Sequence, residues 1–156
     1  MRRIMLAAIA AAALTTACVR TAVDPVTGRM DVDVESPTKQ GEEWTANVAG
    51  QAAFASLTGR AVARVIAGQT TTTVNITGGT PGARHPWHIH GGNCGTGVPI
   101  IGDPSAYPPI VIGQDGTGTA TAQIQVQLNE AQRYHVNFHE SAANLATIVA
   151  CGQLDD

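Results

Sequence analysis

Apolar and polar positions alternate with a period of two along most of the chain after Trp44. The clearest run is 118–128, where Ala120, Ala122, Ile124, Val126 and Leu128 fall on one side of an extended strand. Residues 70–77 form a β-branched block, which favours pleated backbone. Residues 44–57 alternate small and apolar side chains, with an interruption at Gly50. Shorter strands are expected at 61–67, 86–91, 134–139 and 146–151. Gly78-Gly79-Thr80-Pro81-Gly82 reads as a turn, and the Gly- and Pro-rich stretch 92–116 reads mostly as loop. Helix is expected for a turn or two at most, near 140–144. Seven or eight short strands at this spacing predict an all-β domain over 44–156, a sandwich or flattened barrel.

The first eighteen residues follow a different pattern. Arg2 and Arg3 precede an unbroken apolar run, 4–14, that is too short to span a bilayer as a stable helix. Thr15-Thr16-Ala17-Cys18 resembles a bacterial lipobox, although Leu14 stands one place early. That resemblance implies a signal peptide over 1–18 with lipid on Cys18; an ordinary secretory signal cut nearby is the alternative. Both imply export to an oxidising compartment, the periplasm or outer membrane for a lipoprotein, with membrane contact only through the lipid. Residues 19–43 then read as a flexible tether. The part from 24 to 43 holds six acids and two prolines and few large apolar residues. A strand is the alternative at 29–34, where Met30, Val32 and Val34 alternate with Arg29, Asp31 and Asp33.

The whole chain has 156 residues, enough for one domain with a real core but not for a two-domain enzyme. With 9 Lys+Arg against 12 Asp+Glu its formal charge is −3, and removal of Arg2 and Arg3 makes the remainder more acidic. The balance, and the lack of any Lys/Arg cluster, argue against nucleic-acid binding. Only 13% of residues are charged and 17 are glycine, which suits many tight turns rather than a helical bundle.

The candidate chemistry lies in the histidines. All 5 fall in two clusters: His85, His88 and His90, then His135 and His139. Residues two apart on a strand share a face, about 6–7 Å apart, so His88 and His90 can converge on one ion. His139, ending another strand, can supply a third imidazole. Three neutral imidazoles suit copper or zinc and disfavour magnesium or calcium. The bland alternative is packed strand histidines. His135 precedes His139 by four residues, about 13 Å along a strand, too far for both to hold one ion. It is expected to be a structural or surface residue, since no Gly or Pro signals a bulge. Cys94 and Cys151 are the two cysteines after Cys18; in an exported protein such a pair is expected to form a disulfide, the alternative being two buried thiols.

His85-Pro86-Trp87-His88-Ile89-His90 followed by Cys94 resembles the copper-site strand of Cu/Zn superoxide dismutases, His-Gly-Phe-His-Val-His and then a loop cysteine. Asp115-Gly116-Thr117-Gly118-Thr119-Ala120, Phe138-His139-Glu140 and Ala150-Cys151-Gly152 resemble further motifs of that family, in its order, over 44–154. The resemblance implies a Greek-key β-sandwich or flattened barrel. It implies copper ligands at His88, His90 and His139, one copper ion, and a Cys94–Cys151 disulfide. His85 would orient the copper strand without binding the metal. The activity implied is copper-dependent dismutation of superoxide to oxygen and hydrogen peroxide.

The departures are specific. No histidine lies between Cys94 and His135, so the family's bridging and zinc histidines are missing and zinc is not expected. Asp103 matches the zinc aspartate only loosely and reads as a turn residue. Ile148 stands where the family has its anion-guiding arginine; Arg84 and Arg133, the nearest basic residues, do not match it. A second resemblance is to CHRD domains, through His88-Ile89-His90-Gly91, Val136-Asn137-Phe138-His139 and Gly152-Gln153-Leu154. It implies a similar fold without assured catalysis. The alternatives to an enzyme are therefore a non-catalytic copper-binding module and a lipoprotein without metal.

Overall fold

A computed structural model describes residues 41–96 and 99–156, together with the backbone of two strands nearer the N-terminus. Those two, β1 (Val19–Val23) and β2 (Met30–Val34), pair antiparallel with Val19 opposite Val34. The alternation at Met30, Val32 and Val34 thus lies on a strand, in the stretch read mainly as tether. The expected signal segment 1–18, with Cys18, lies outside the described residues. The remainder, Gly41–Asp156, is a separate compact unit.

That unit is all-β. Its strands are β3 (Glu43–Gly50), β4 (Thr58–Ile66), β5 (Gln69–Thr77), β6 (Arg84–His85), β7 (Trp87–Gly91), β8 (Ile110–Val111), β9 (Gly118–Ile124), β10 (Tyr134–Ser141) and β11 (Asn144–Leu154). Seven form one antiparallel sheet in the order β7-β10-β11-β3-β4-β5-β9, which curls into a half-barrel. The two-stranded β6–β8 ladder lies against β10 on one side and β9 on the other.

Local sequence explains the turns. β4 and β5 are joined by Ala67 and Gly68 alone, both at positive φ (51° and 80°), the two-residue hairpin whose twist matches its strands. Gly50 ends β3 where its backbone folds against the following 3-10 turn; a Cβ there would lie 1.9 Å from the Phe54 carbonyl oxygen. That contact is the interruption visible in 44–57. The segment expected to be helical, 140–144, instead forms the β10–β11 hairpin, with Ala142 and Ala143 as its turn. A bond from Asn144 Nδ2 to the Glu140 carboxylate fastens the hairpin, so no helical turn is needed.

Alternation puts Trp44, Ala46 and Val48 of β3, Ala61, Ala63 and Val65 of β4, and Val74 and Ile76 of β5 into one core. Their outward neighbours Arg60, Arg64 and Asn75 are exposed, as expected for a sheet wet on one side. β7 and β10 differ. Trp87, Ile89, Val136 and Phe138 face the core, yet His88, His90, His135, Asn137 and His139 between them are buried too. The cover is the long loop after β7. Ile101 N–H donates to the Ile89 carbonyl at 2.8 Å, Ile100 bridges to His90, and Trp87 Nε1–H donates to the Pro108 carbonyl at 2.8 Å. Polar side chains buried on the outer face of a sheet mark the place where chemistry is to be sought.

Candidate metal centre

His88 and His90 project from one face of β7, opposite Asn137 and His135 of β10. His139 stands two residues beyond Asn137 on that strand. The structure brings His88, His90 and His139 together: each offers one ring nitrogen, all within 4.8 Å of one another. His88 Nδ1 and His139 Nε2 are 3.3 Å apart. The ring centroids are 5.2 Å apart for His88–His139, 6.0 Å for His88–His90 and 6.1 Å for His90–His139.

Backbone carbonyls fix the rings. His139 Nδ1–H donates to the Leu145 carbonyl at 2.6 Å, which leaves its Nε2 lone pair aimed at His88. His85 Nδ1–H donates to the carbonyl of His139 itself at 3.0 Å, tying β6 to the end of β10. His135 Nδ1–H donates to the Gly92 carbonyl at 3.2 Å, and its Nε2 accepts from Asn137 Nδ2 at 3.2 Å. Its ring stacks on His90, centroids 5.4 Å apart and planes 19° from parallel. His135 is fully buried, so the surface alternative for it is excluded: pairing opposite His90 puts it under the covering loop. The β10–β11 register does shift, between Phe138 and His139, although no Gly or Pro stands there. Phe138 faces Ala150, His139 faces Ile148 and, after a second shift, Ser141 faces Asn144, so the extra residues, Val149 first, lie on β11 and β10 passes the site without one.

Burial disfavours charge on these rings. It pushes His88 down to about 4, with the neighbouring His139 and His90 adding to the effect. Burial also lowers His139 and His135, against the opposing pull of their bonds to Leu145 and Gly92; His90 lowers both slightly further. His88 and His139 are therefore neutral at pH 7, the form that ligates metal.

The arrangement fits a metal ion. Nitrogen donors at about 2.0–2.1 Å from a common ion lie roughly 3.3–4 Å from each other. The His88–His139 pair already has that separation. The Leu145 carbonyl gives His139 the outer support that a metal-bound imidazole requires, and Gly92 and Asn137 fix His135, whose ring stacks on His90. Three imidazoles favour a late first-row transition metal over magnesium or calcium, without singling out one.

Cys94 and Cys151 are joined in a disulfide, Cα atoms 6.0 Å apart. It binds the start of the covering loop to β11. Gln153 reinforces it, accepting from Cys94 N–H at 3.2 Å and donating through Nε2 to the carbonyls of Tyr134 at 2.7 Å and Gly92 at 3.3 Å. Gly152, between them, lies so close to β3 that a Cβ would be 3.0 Å from the Asn47 carbonyl oxygen. Asp103 is exposed and accepts from Ser105 N–H at 2.8 Å, capping the short 3-10 turn Pro104–Ala106; that bond holds its carboxyl below the usual range.

Sequence reasoning missed several residues. Asn137 stood in the sequence only as part of the CHRD-like motif Val136-Asn137-Phe138-His139, with no role at the site attached to it. Tyr107, buried edge-on against both His88 (5.3 Å) and Trp87 (5.2 Å), comes from a stretch read as loop. Leu145 acts through its carbonyl, which no side-chain pattern reveals. Arg84, in sequence merely a nearby cation, lines with His88 a cleft of about 600 Å³. No protein-family model matches the chain, and a search of curated proteins finds no match.

Proposed function

We propose that His88, His90 and His139 hold one copper ion and that the protein is an exported superoxide dismutase of divergent type. The observation that carries this reading is the buried three-histidine group beside the Cys94–Cys151 disulfide. Motifs in the order found in Cu/Zn superoxide dismutases supply the metal and the substrate. Bound copper, cycling between Cu(II) and Cu(I), would let one superoxide be oxidised to oxygen while a second, with two protons, is reduced to hydrogen peroxide.

The chain's own residues have definite tasks in this scheme. Leu145 and His85 hold His139 from its ring and its backbone. His135, fixed by Gly92 and Asn137, backs the His90 ring. Both His135 nitrogens are engaged and the ring is buried, so it is a support and not the proton donor of the second half-reaction. Tyr107 walls one side of His88, and its hydroxyl donates to the Ile101 carbonyl at 2.6 Å, with burial raising its pKa. A zinc ion is not part of the proposal, because Asp103 is committed to its own turn. Export rests on the apolar segment before Cys18, and anchoring on lipid at that cysteine.

A second reading, copper binding without turnover, is favoured by Ile148 beside His139 where the family has arginine, and by the burial of all three rings. A CHRD-like module would share this reading. The deciding experiment is dismutation by copper-loaded protein after removal of free copper. Activity above that of the His139→Ala variant supports the enzyme. Copper retained with no activity above buffer leaves the binding module, and no copper uptake refutes both.

A further inference from the structure

The cleft leading to His88 is much larger than superoxide requires. At about 600 Å³ it falls within the range of sites that enclose organic ligands. Pro86, Tyr107 and Leu145 line it, and most other wall residues are proline or alanine. Leu145 is 48% exposed, unusual for a large apolar side chain here. Ser141 adds a hydroxyl. The lining contains no carboxylate and a single cation, Arg84. Arg84 is exposed and makes no ion pair among the described residues.

We infer that this cleft binds a small organic monocarboxylate with an apolar body, its carboxylate on Arg84 and its body against Tyr107, Leu145 and the prolines. Apolar walls with one charged group at the end are the usual composition of a small-ligand site. The guanidinium fork matches a carboxylate in shape and charge. A neutral ligand would leave Arg84 unused, and a dicarboxylate would bury a second charge against apolar walls with no partner. A ligand seated here touches Leu145, whose carbonyl holds His139, and reaches His88. The inference rests on the proposed metal reading for the cleft's role as the approach to the ion; recognition itself uses groups outside the triad.

The test is an NMR titration of the metal-free full chain with sodium hexanoate, and separately with hexan-1-ol. Hexanoate is expected to shift the amides of Arg84, Tyr107 and Leu145 and to bind about fivefold more tightly than the alcohol, the worth of one solvent-facing ion pair. Arg84→Gln should erase that preference. Leu145→Ser should weaken both ligands alike, keeping the preference. Equal binding of alcohol and acid, a preference that survives Arg84→Gln, or shifts located elsewhere would overturn the inference. Copper titration of the same preparation separates the two claims: failed copper uptake with an intact hexanoate preference refutes the metal reading and leaves the carboxylate site supported. In copper-loaded protein hexanoate should alter the Cu(II) paramagnetic resonance spectrum; binding without such a change would refute the cleft as the approach to the metal.

Discussion

Replacing both disulfide cysteines, Cys94→Ala with Cys151→Ala, isolates the effect of the cross-link without leaving an unpaired thiol. The bond spans 57 residues of sequence, and on the chain-entropy account a loop of that length restricts the unfolded state by about 4 kcal/mol. That is a large part of the roughly 5–15 kcal/mol that holds a typical domain folded. The native fold should survive, because Gln153 still hangs the loop from β11 through its bonds to Cys94, Tyr134 and Gly92. The loss therefore falls mainly on the unfolded state. For a domain of this size it corresponds to a melting temperature lower by about 15 °C. Scanning calorimetry of metal-free protein, with and without a phosphine reductant, measures it. The double variant and the reduced wild type should melt together, well below the oxidised protein. Equal melting of all three would show that the cross-link contributes nothing, and would refute the reasoning. Metal affinity should fall in parallel, since Gly92 anchors His135 and His135 backs His90.

Acid should weaken the metal-free fold through His88. Its pKa is about 4 folded against an ordinary 6.5, so the unfolded chain binds the extra proton first; stability is complete above pH 6.5 and declines by about 3 kcal/mol as pH falls to 4. Urea midpoints across that window, compared with His88→Phe, test this; an equal slope in the variant would contradict it. Ala67→Asn should stabilise by about 0.5–1 kcal/mol, because Ala67 holds a left-handed conformation that asparagine adopts more readily; a lower urea midpoint would count against the turn assignment. Trp87→Phe should cost about 1–3 kcal/mol, as the buried indole bonds to Pro108 and meets the Tyr107 and Phe138 rings; an unchanged chemical-denaturation midpoint would refute that.

The strands were legible where alternation meets a one-sided core, as in the β-branched run 70–77 and in 118–124; the alternation that suggested a strand to Leu128 outlasts β9, which ends at Ile124. The order of strands was not, because placing β3 beside β11 depends on contacts such as Gly152 on Asn47, far apart in sequence. The hairpin at 142–143 was missed because two alanines carry no turn signal. Residues 92–116 read as loop because Gly and Pro dominate, yet their tertiary contacts turn a sheet face into a buried site. The His-x-His spacing announced His88 and His90, since period two places them on one face. Leu145 and Gly92 could not be read, because they act through carbonyls that every residue has. The surroundings of Arg84 were equally hidden: the cleft it lines is assembled by the covering loop and the β10–β11 turn.

Copper stoichiometry tests the central claim most directly. The full chain, equilibrated with a weakly chelated Cu(II) salt and desalted, should retain one copper ion. His88→Ala, His90→Ala and His139→Ala should each lose it, while His135→Ala, which removes a support and not a donor, should keep it with weaker affinity. Undiminished copper in the three site variants, or equal loss in His135→Ala and His139→Ala with both proteins folded, would contradict the assignment of the three-histidine centre.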